Sequence, residues 1–287
     1  MSKKLRILRY VSDLHLEFLS NIEHNQKLKP LWEFKSSEND IYYLALIGDI
    51  GNPFNDNLSK FLNLTSKKYS HIFYVPGNHE YYNLNKHHPK TKSQFDEKLR
   101  DLCNEFTNVN IMNNSMFDLD DVLIVGSTLW SHIPDDCIKY ICQNINDYHL
   151  IKKLNPVTNL IEKITAEDTN LWNKESIEFL DSTINNTEKP CIILTHHAPL
   201  YSNKETGNYT ANPCYVNSPN NHAFHNDLTK LIKQPVIAWL YGHTHYTSKF
   251  MFNNVIIATN QLGYNHESIK FDIYAHINID DLLINSL

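Results

Sequence analysis

Short runs of aspartate, asparagine and histidine recur along the sequence, each just after a stretch of apolar residues. They are Asp13-Leu14-His15, Gly48-Asp49, Gly77-Asn78-His79-Glu80, His196-His197 and Gly242-His243-Thr244-His245. Carboxylate oxygen, amide oxygen and imidazole nitrogen together suit Mn, Fe, Zn or Co better than a thiolate-preferring metal. The residue types therefore predict a site for divalent cations.

The number of candidate ligands favours two metal ions over one. The candidates are Asp13, His15, Asp49, Asn78, His196, His243 and His245. An octahedral site takes about six donors, and a carboxylate can bridge two ions through its two oxygens. We therefore expect two divalent metal ions as cofactors, with room left for water.

These runs follow segments that have the length and composition of β-strands. The predicted strands are Leu5–Ser12, Ile41–Gly48, Ile72–Val75, Val122–Ser127, Cys191–Thr195, Val236–Tyr241 and Val255–Thr259. Each is rich in β-branched or aromatic residues and stops at a turn signal. Ligands of open α/β sheets bind at the carboxyl ends of the strands, so polar side chains at five of these ends are expected to converge.

Helices are predicted between the strands, where apolar residues recur at three- and four-residue spacings. They are Leu58–Tyr69, Ser93–Phe106, Thr165–Ile184 and Asn226–Ile232. This alternation favours parallel pairing of the strands. Residues 118–127 and the chain from Val236 onward are mostly strand-like, which predicts antiparallel pairs there.

Domain organisation is predicted to be simple, because no segment has linker composition. We expect a single domain over residues 1–287, with elaborations at about residues 130–156 and 201–222. Loops of that length without clear structure usually serve a function. Substrate contacts are expected from the basic segment 86–92, from Tyr81, Tyr82 and Trp130, or from the second elaboration; a solvated loop and simple packing are the alternatives.

Composition places the chain among ordinary globular proteins, with 41% hydrophobic and 20% charged residues. The net charge of -6 argues against broad electrostatic capture of nucleic acid. Bound cations would add charge that this count omits, so a nuclease stays open. The five cysteines lack zinc-finger spacing and are interpreted as free thiols. Without a signal peptide or a membrane span of about 20 apolar residues, a cytoplasmic protein is expected.

The five motifs, in this order, resemble those of the calcineurin-like metallophosphoesterases, from about Leu5 to Thr259. Other segments are similar to a bacterial-type branch of phosphohydrolases: Glu80-Tyr81-Tyr82, Ser127-Thr128-Leu129-Trp130, Asn146-Asp147-Tyr148, Thr165-Ala166-Glu167-Asp168 and Gly263-Tyr264. The resemblance implies an α/β fold of the metallo-dependent phosphatase type. This fold is a four-layer α/β/β/α sandwich with two mixed β-sheets packed face to face.

The resemblance also implies a role for each motif residue. One metal would be held by Asp13, His15, Asp49 and His245, and the other by Asp49, Asn78, His196 and His243. Asp49 would bridge the two ions. His79 would not ligate, but would protonate the leaving oxygen or stabilise charge on the phosphoryl group. The residues expected at the reacting centre are therefore Asp49, Asn78 and His79.

The pair His196-His197 offers two candidates for one ligand position. Successive strand residues point to opposite sides, so only one of them is expected to face the metals. The resemblance favours His196, since the family places the ligand first and a proline shortly after. The family often has two prolines there, whereas this chain has Ala198 and then Pro199.

The activity implied is hydrolysis of phosphomonoesters or phosphodiesters. Two divalent ions about 3.5–4 Å apart can share a water, lower its pKa and present the bridging hydroxide to phosphorus. The expected partner is a small phosphorylated substrate; no basic surface for nucleic acid is evident, and no membrane partner is expected. The alternatives are a nuclease or cyclic-nucleotide phosphodiesterase, and a non-catalytic binding module on the same fold.

Overall fold

The computed structural model describes residues 4–37, 39–85, 87–267 and 269–285. Within these ranges the strands are β1 (Arg6–Val11), β2 (Ile41–Ile47), β3 (His71–Val75), β4 (Val109–Ile111), β5 (Ser115–Asp118), β6 (Leu123–Ser127), β7 (Lys152–Leu154), β8 (Ile161–Lys163), β9 (Cys191–Thr195), β10 (Val236–Tyr241), β11 (Lys249–Phe252), β12 (Val255–Thr259) and β13 (His276–Asn278). The α-helices are α1 (Asp56–Ser66), α2 (Lys92–Asn104), α3 (Ile138–Asn144), α4 (Asp147–Leu150), α5 (Ala166–Asn185) and α6 (Ile279–Asn285).

The strands form two large mixed sheets and one small hairpin. The first sheet has the order β13-β1-β2-β3-β4, in which only β13 is antiparallel to its neighbour. The second has the order β11-β12-β10-β9-β6-β5, with antiparallel strands at both edges. Strands β7 and β8 pair separately. The predicted parallel pairing is confirmed, and so are antiparallel pairs at residues 118–127 and after Val236, although β10 and β12 pair in parallel with each other.

Alternation of side chains along the strands divides the core into layers. In β2, Tyr43, Ala45 and Ile47 pack between the two sheets against Ile192 and Leu194 of β9. The intervening residues of β2 face the other way, toward α1 and α2. Period-two alternation gives each sheet two buried faces. The outer face of the second sheet packs against α5, which completes the expected four-layer α/β/β/α sandwich.

Local capping explains where the main helices begin. Thr91 accepts a hydrogen bond from the backbone of Gln94, whose side chain accepts one in return from the Thr91 backbone. The Thr165 backbone donates to the Asp168 side chain in the same way at the start of α5. Such capping boxes satisfy backbone donors that have no partner inside the helix.

The prediction of a helix over Asn226–Ile232 is wrong. These residues form turns, with Leu231 and Ile232 both donating to the Leu228 carbonyl. Leu228, Leu231 and Ile232 are buried, so the three- and four-residue spacing of these apolar residues reflects the burial of a turn and not a helix. Seven residues are too few to form a helix stably without strong packing or caps.

The two elaborations are more ordered than expected of loops. Residues 130–156 contain α3, α4 and β7, and cover a separate apolar cluster that includes Tyr81, Trp130 and Tyr148. Residues 201–222 carry two short 3-10 helices, Pro213–Tyr215 and the start of Pro219–Ala223. None of the helices in the described part of the chain combines the length and apolar character needed to cross a bilayer.

Candidate metal centre

The predicted site residues lie in the turns that follow β1, β2, β3, β9 and β10. Five of them adopt left-handed backbone conformations, with φ angles of 55° (Asp13), 48° (His15), 53° (Asp49), 72° (His243) and 47° (His245). Each such conformation costs a non-glycine residue about 1–3 kcal/mol and is typical of functional sites. Asp13 and His15, and likewise His243 and His245, are two residues apart in the sequence, and tight turns bring each pair to the site.

These turns bring the predicted ligand atoms into one buried cluster. Among the described residues, three groups of three have their ligand atoms within 4.8 Å of one another. They are Asp13, His15 and His245; Asp49, His196 and His243; and His15, Asp49 and His79, which links the other two. Asn78 adjoins the second group, because its Oδ1 lies 2.9 Å from His196 Nε2. All seven predicted ligands therefore surround a single space between the sheet edges.

Hydrogen bonds behind the histidines fix which ring nitrogen faces the cluster. His196 Nδ1 lies 3.0 Å from the Ile47 carbonyl oxygen, and His243 Nε2 lies 3.3 Å from that of Ala223. A carbonyl oxygen only accepts, so these nitrogens carry a hydrogen, and the other ring nitrogen is the one that can bind a metal ion once it is unprotonated. Metal-ligating histidines commonly have this kind of outer partner.

The inward-facing nitrogens of His15 and His245 meet beside the Asp13 carboxylate. His245 Nδ1 lies 2.6 Å from Glu267 Oε2, while its Nε2 is 3.2 Å from His15 Nε2 and 3.4 Å from Asp13 Oδ1. Two ring nitrogens and a carboxylate in contact need a positive charge, supplied either by a proton or by a bound cation. The donor set therefore fits divalent cations.

The pKa values of the buried groups report the same demand for positive charge. Burial raises the pKa of the Asp49 carboxyl, but His196 and His79 more than offset this and hold it well below its usual value. Burial lowers the pKa of His196, yet the carboxylates of Asp49 and Asp13 raise it overall to about 9. A bound cation would take the place of the protons that this arrangement holds.

Glu80 anchors the turns after β2 and β3. Its carboxylate accepts hydrogen bonds from the backbone of Asp49 (3.0 Å), Ile50 (2.8 Å) and Gly77 (2.7 Å), and from the Tyr74 hydroxyl (2.9 Å). Burial and the nearby charge of Asp49 raise the pKa of Glu80 to about 7, against the effect of these donors. The side chain fixes the backbone that carries Asp49 and Asn78.

Asp147 orients the amide of Asn78. The Asn78 Nδ2 donates to Asp147 Oδ1 over 2.8 Å, and the Tyr82 hydroxyl donates to the same oxygen. Because the amide nitrogen is taken up in this way, Asn78 Oδ1 faces His196. Asp147 is supplied by the first elaboration, at the start of α4.

His79 lies at the edge of the cluster and faces a cavity. Its Nδ1 is 3.3 Å from Glu17 Oε1, and its Nε2 is 3.0 Å from the Tyr264 hydroxyl and 4.0 Å from Asp49 Oδ2. Burial lowers the pKa of His79, but Asp49 and Glu17 raise it above its usual value overall. The ring is thus placed to hold a proton beside the cluster.

His196 and His197 point in different directions. His197 Nδ1 lies 3.1 Å from the Thr128 carbonyl oxygen, and its ring packs against Trp130 at a centroid distance of 5.4 Å. Burial and the neighbouring His196 lower the pKa of His197 to about 3. His196, not His197, has a ring nitrogen among the grouped ligand atoms of the described residues.

A cavity of about 390 Å³ opens beside the cluster. Asp49, His79 and His245 line the cavity together with residues from both elaborations, including Asn146 and Tyr215, and with Phe224 just after the second elaboration. The Phe224 ring stacks on His243 with a centroid distance of 4.6 Å. The elaborations therefore define the space next to the predicted metal ligands.

The other predicted substrate contacts are placed differently. Lys90 Nζ lies 4.6 Å from the Phe54 ring centroid, and Lys92 pairs with Asp96 at 2.9 Å, away from the cavity. Lys86 lies outside the described residues. Tyr82 lines the cavity, whereas Tyr81 and Trp130 pack in the apolar cluster beneath the first elaboration.

Some residues of the site carry little sequence signal. Glu80 lies in the motif Gly77-Asn78-His79-Glu80 and Asp147 in Asn146-Asp147-Tyr148, but the contacts of both side chains depend on tertiary structure. Glu17 and Glu267 belong to none of the predicted motifs. Glu17 contacts His79, and Glu267 contacts His245 from a separate part of the chain. A carboxylate soon after Asp13-x-His15 is the one cue that the sequence offered for Glu17.

A family model described as calcineurin-like phosphoesterase matches residues 9–247. Among curated proteins, "Uncharacterized protein L509" of Acanthamoeba polyphaga mimivirus is 58% identical over 283 residues, which cover 99% of this chain and 100% of that protein.

Two solved structures share the fold at low sequence identity. Phosphopantetheinyl hydrolase (PptH) from Mycobacterium tuberculosis superposes with a TM-score of 0.63 at 16% identity, over 91% of this chain and 90% of that one. The protein TT1561 of Thermus thermophilus has a TM-score of 0.50 at 13% identity, over 98% and 96% of the two chains.

Proposed function

Because the chain belongs to the calcineurin-like phosphoesterase family, we propose that it hydrolyses phosphoric esters with two divalent metal ions bound in the buried cluster. The observation that carries this proposal is the convergence of two ligand groups on one space, with a cavity beside them. A non-catalytic binding module would have no need of His79 held at the cavity by Glu17 and Tyr264.

Two sets of residues would hold the metals. Asp13, His15 and His245 form the first set, and Asn78, His196 and His243 form the second. Asp49 lies next to both sets, because it groups with His15 as well as with His196. Divalent cations bound there would activate water for attack on phosphorus and offset the charge that develops on the phosphoryl oxygens.

The chain's own residues would then orient the ester and supply a proton. Glu80 fixes the Asp49 backbone, and Asp147 fixes the Asn78 side-chain amide, before substrate binds. His79 presents Nε2 to the cavity, while Glu17 accepts at Nδ1 and stabilises the charged ring. As water adds to phosphorus and the ester P–O bond breaks, the His79 proton would pass to the leaving oxygen.

A substrate screen tests this function. Protein reconstituted with Mn²⁺, Fe²⁺, Co²⁺ or Zn²⁺ is assayed against 4-nitrophenyl phosphate, bis(4-nitrophenyl) phosphate, cyclic nucleotides and single-stranded DNA. We expect turnover of an aryl monoester or diester that is lost on chelation and restored by metal. Two bound metals without turnover of any substrate would favour the binding module instead.

A further inference from the structure

The outer wall of the cavity contains a buried histidine that the proposed reaction does not use. His225 is only 2% exposed, and its ring stacks on Tyr201 with a centroid distance of 5.3 Å and an interplanar angle of 22°. It lines the cavity, one residue beyond Phe224, whose ring stacks on His243. His225 and His243 line the same cavity, so His225 lies near the predicted metal ligands without being one of them.

The tautomer of His225 is fixed by the backbone. Its Nδ1 lies 3.1 Å from the Asn221 carbonyl oxygen, so Nδ1 carries the hydrogen. Burial lowers the pKa of His225 to about 4, which leaves the ring neutral near pH 7. Nε2 therefore keeps a lone pair, and among the described residues this buried atom has no hydrogen-bond partner.

A second buried acceptor lies in the same loop. Asn220 also lines the cavity, and within the described residues its Oδ1 is buried and has no hydrogen-bond partner. A buried polar atom without a partner costs free energy, and a bound water or ligand that donates a hydrogen bond would offset this cost. Both atoms are hydrogen-bond acceptors, so a group that pairs with either of them must be a donor.

The charge of the cavity restricts the molecule that could supply that donor. Among the described residues that line it there is no lysine or arginine, whereas Asp147 and Glu267 are present. Amide side chains such as Asn144 and Asn146 make up much of the remaining polar wall. Beyond the metals and the His79 ring, a ligand with further negative charge would find no counter-ion among the described residues that line the cavity.

We propose that this wall is a leaving-group subsite, which selects phosphoesters whose leaving group is uncharged and donates a hydrogen bond to His225 Nε2 or Asn220 Oδ1. The inference rests on the proposed phosphoesterase function and narrows its substrate class. Esters of small hydroxyl- or amide-bearing molecules fit the site. Polyphosphates and nucleic acid strands do not, because they carry extra negative charge to a wall whose described residues include no lysine or arginine.

Four aryl phosphates of similar leaving-group acidity test this subsite on the Mn²⁺-loaded protein. The 4-methylphenyl and 4-(hydroxymethyl)phenyl esters differ by one donor. The 4-(carbamoylmethyl)phenyl and 4-(carboxymethyl)phenyl esters differ by one charge at nearly constant shape. We expect kcat/KM about tenfold higher for the hydroxymethyl than for the methyl ester, equivalent to ~1.4 kcal/mol. The kcat/KM of the carbamoylmethyl ester should exceed that of the carboxymethyl ester by at least tenfold. Comparing the carbamoylmethyl and hydroxymethyl esters shows whether an amide donor is recognised as well as a hydroxyl.

Two histidine variants in the same loop assign the preference. His225→Phe keeps an aromatic ring against Tyr201 but removes the acceptor, so the hydroxymethyl-to-methyl ratio should fall to about one. His222→Phe changes a histidine that hydrogen-bonds Tyr201 and is not among the cavity-lining residues described, and the ratio should stay at its wild-type value. A wild-type ratio near one, or a ratio that persists in His225→Phe, would overturn the subsite.

Failure of the proposed function would give a different result, namely no hydrolysis of any of the four esters. The subsite is then judged by binding to the wild-type protein without metal. The ¹⁵N shift of His225 Nε2 is followed while 4-methoxybenzyl alcohol or 4-methylanisole is added, because these compounds differ in the one hydroxyl donor. A shift with the first compound alone supports the subsite, whereas equal or absent shifts contradict it.

Discussion

At the level of single residues, the predicted catalytic role of His79 depends on its two neighbours. Glu17 holds Nδ1, and Tyr264 meets Nε2 at the cavity. His79 is not among the seven predicted metal ligands, even though its ring is close to Asp49. Metal binding and proton transfer should therefore be separable by mutation.

Replacing His79 by glutamine should reduce kcat on an aryl phosphate by about 10²- to 10⁴-fold, the usual contribution of a general acid. Metal content should stay at the wild-type level. The exposed His87 provides a matched control, because His87→Gln alters a histidine of a surface loop. Loss of metal from His79→Gln, or full activity without the ring, would rule out the assigned role.

The buried neutral His225 should make stability depend on pH. Its pKa falls from the usual 6.5 to about 4 in the folded protein because burial disfavours the charged ring. Between these values the unfolded chain binds a proton here and the folded chain does not. Its contribution to stability is therefore complete above pH 6.5 and is lost as the pH falls toward 4.

This dependence is measured as the difference in free energy of unfolding between wild type and His225→Phe, both without metal. Between pH 7 and 4.5 the difference should change by roughly 2–3 kcal/mol, in the direction that disfavours wild type at low pH. Urea unfolding at several pH values gives the two curves. Parallel curves would mean that His225 is not held neutral by burial.

At the level of elements, the turns after β2 and β3 pass so close together that Gly77 has no room for a side chain. A Cβ on Gly77 would overlap the Asp49 carboxylate and lie 2.8 Å from His196 Nε2. Glu80 joins the same two turns through backbone hydrogen bonds. The close approach of the two turns thus sets the position of Asp49.

The variant Gly77→Ala should lose metal, because the added methyl group displaces the Asp49 carboxylate, and should be destabilised by about 1–3 kcal/mol. Gly207→Ala is a suitable control, since Gly207 has a positive φ but open space around it. That control should keep its metal and lose only about 1 kcal/mol to backbone strain. Elemental analysis and urea unfolding of both variants decide the matter; full metal content in Gly77→Ala would contradict the expected overlap.

Strong local patterns explain which elements the sequence could predict. Buried strands such as Cys191–Thr195 are continuous β-branched or apolar runs, and their predicted limits are confirmed or nearly so. Three-residue strands such as Val109–Ile111 and Lys152–Leu154 offer too few residues for any periodicity. The motifs at strand ends converge because parallel strands share one edge, but the contacts of Asp147 and Glu267 depend on how distant loops pack.

At the level of the whole molecule, the candidate metal centre joins the two sheets. Asp13, Asp49 and Asn78 come from the first sheet, whereas His196 and His243 come from the second. The family model and the similar solved structure match the chain that forms these two sheets. Much of the cavity wall comes from residues 144–147 and 211–225, which lie in or just after the two elaborations. We therefore infer that the substrate is selected by the elaborations while the chemistry belongs to the core.

The two-metal centre is tested most directly by counting metal ions in wild type and in Asp49→Ala. Protein saturated with Mn²⁺ and freed of excess metal is measured by elemental analysis, with His87→Gln as a folded control. We expect two ions per chain in wild type and in the control, and loss of both from Asp49→Ala, because Asp49 is the proposed bridge. At most one ion in wild type, or two ions retained by Asp49→Ala, would contradict the proposed centre.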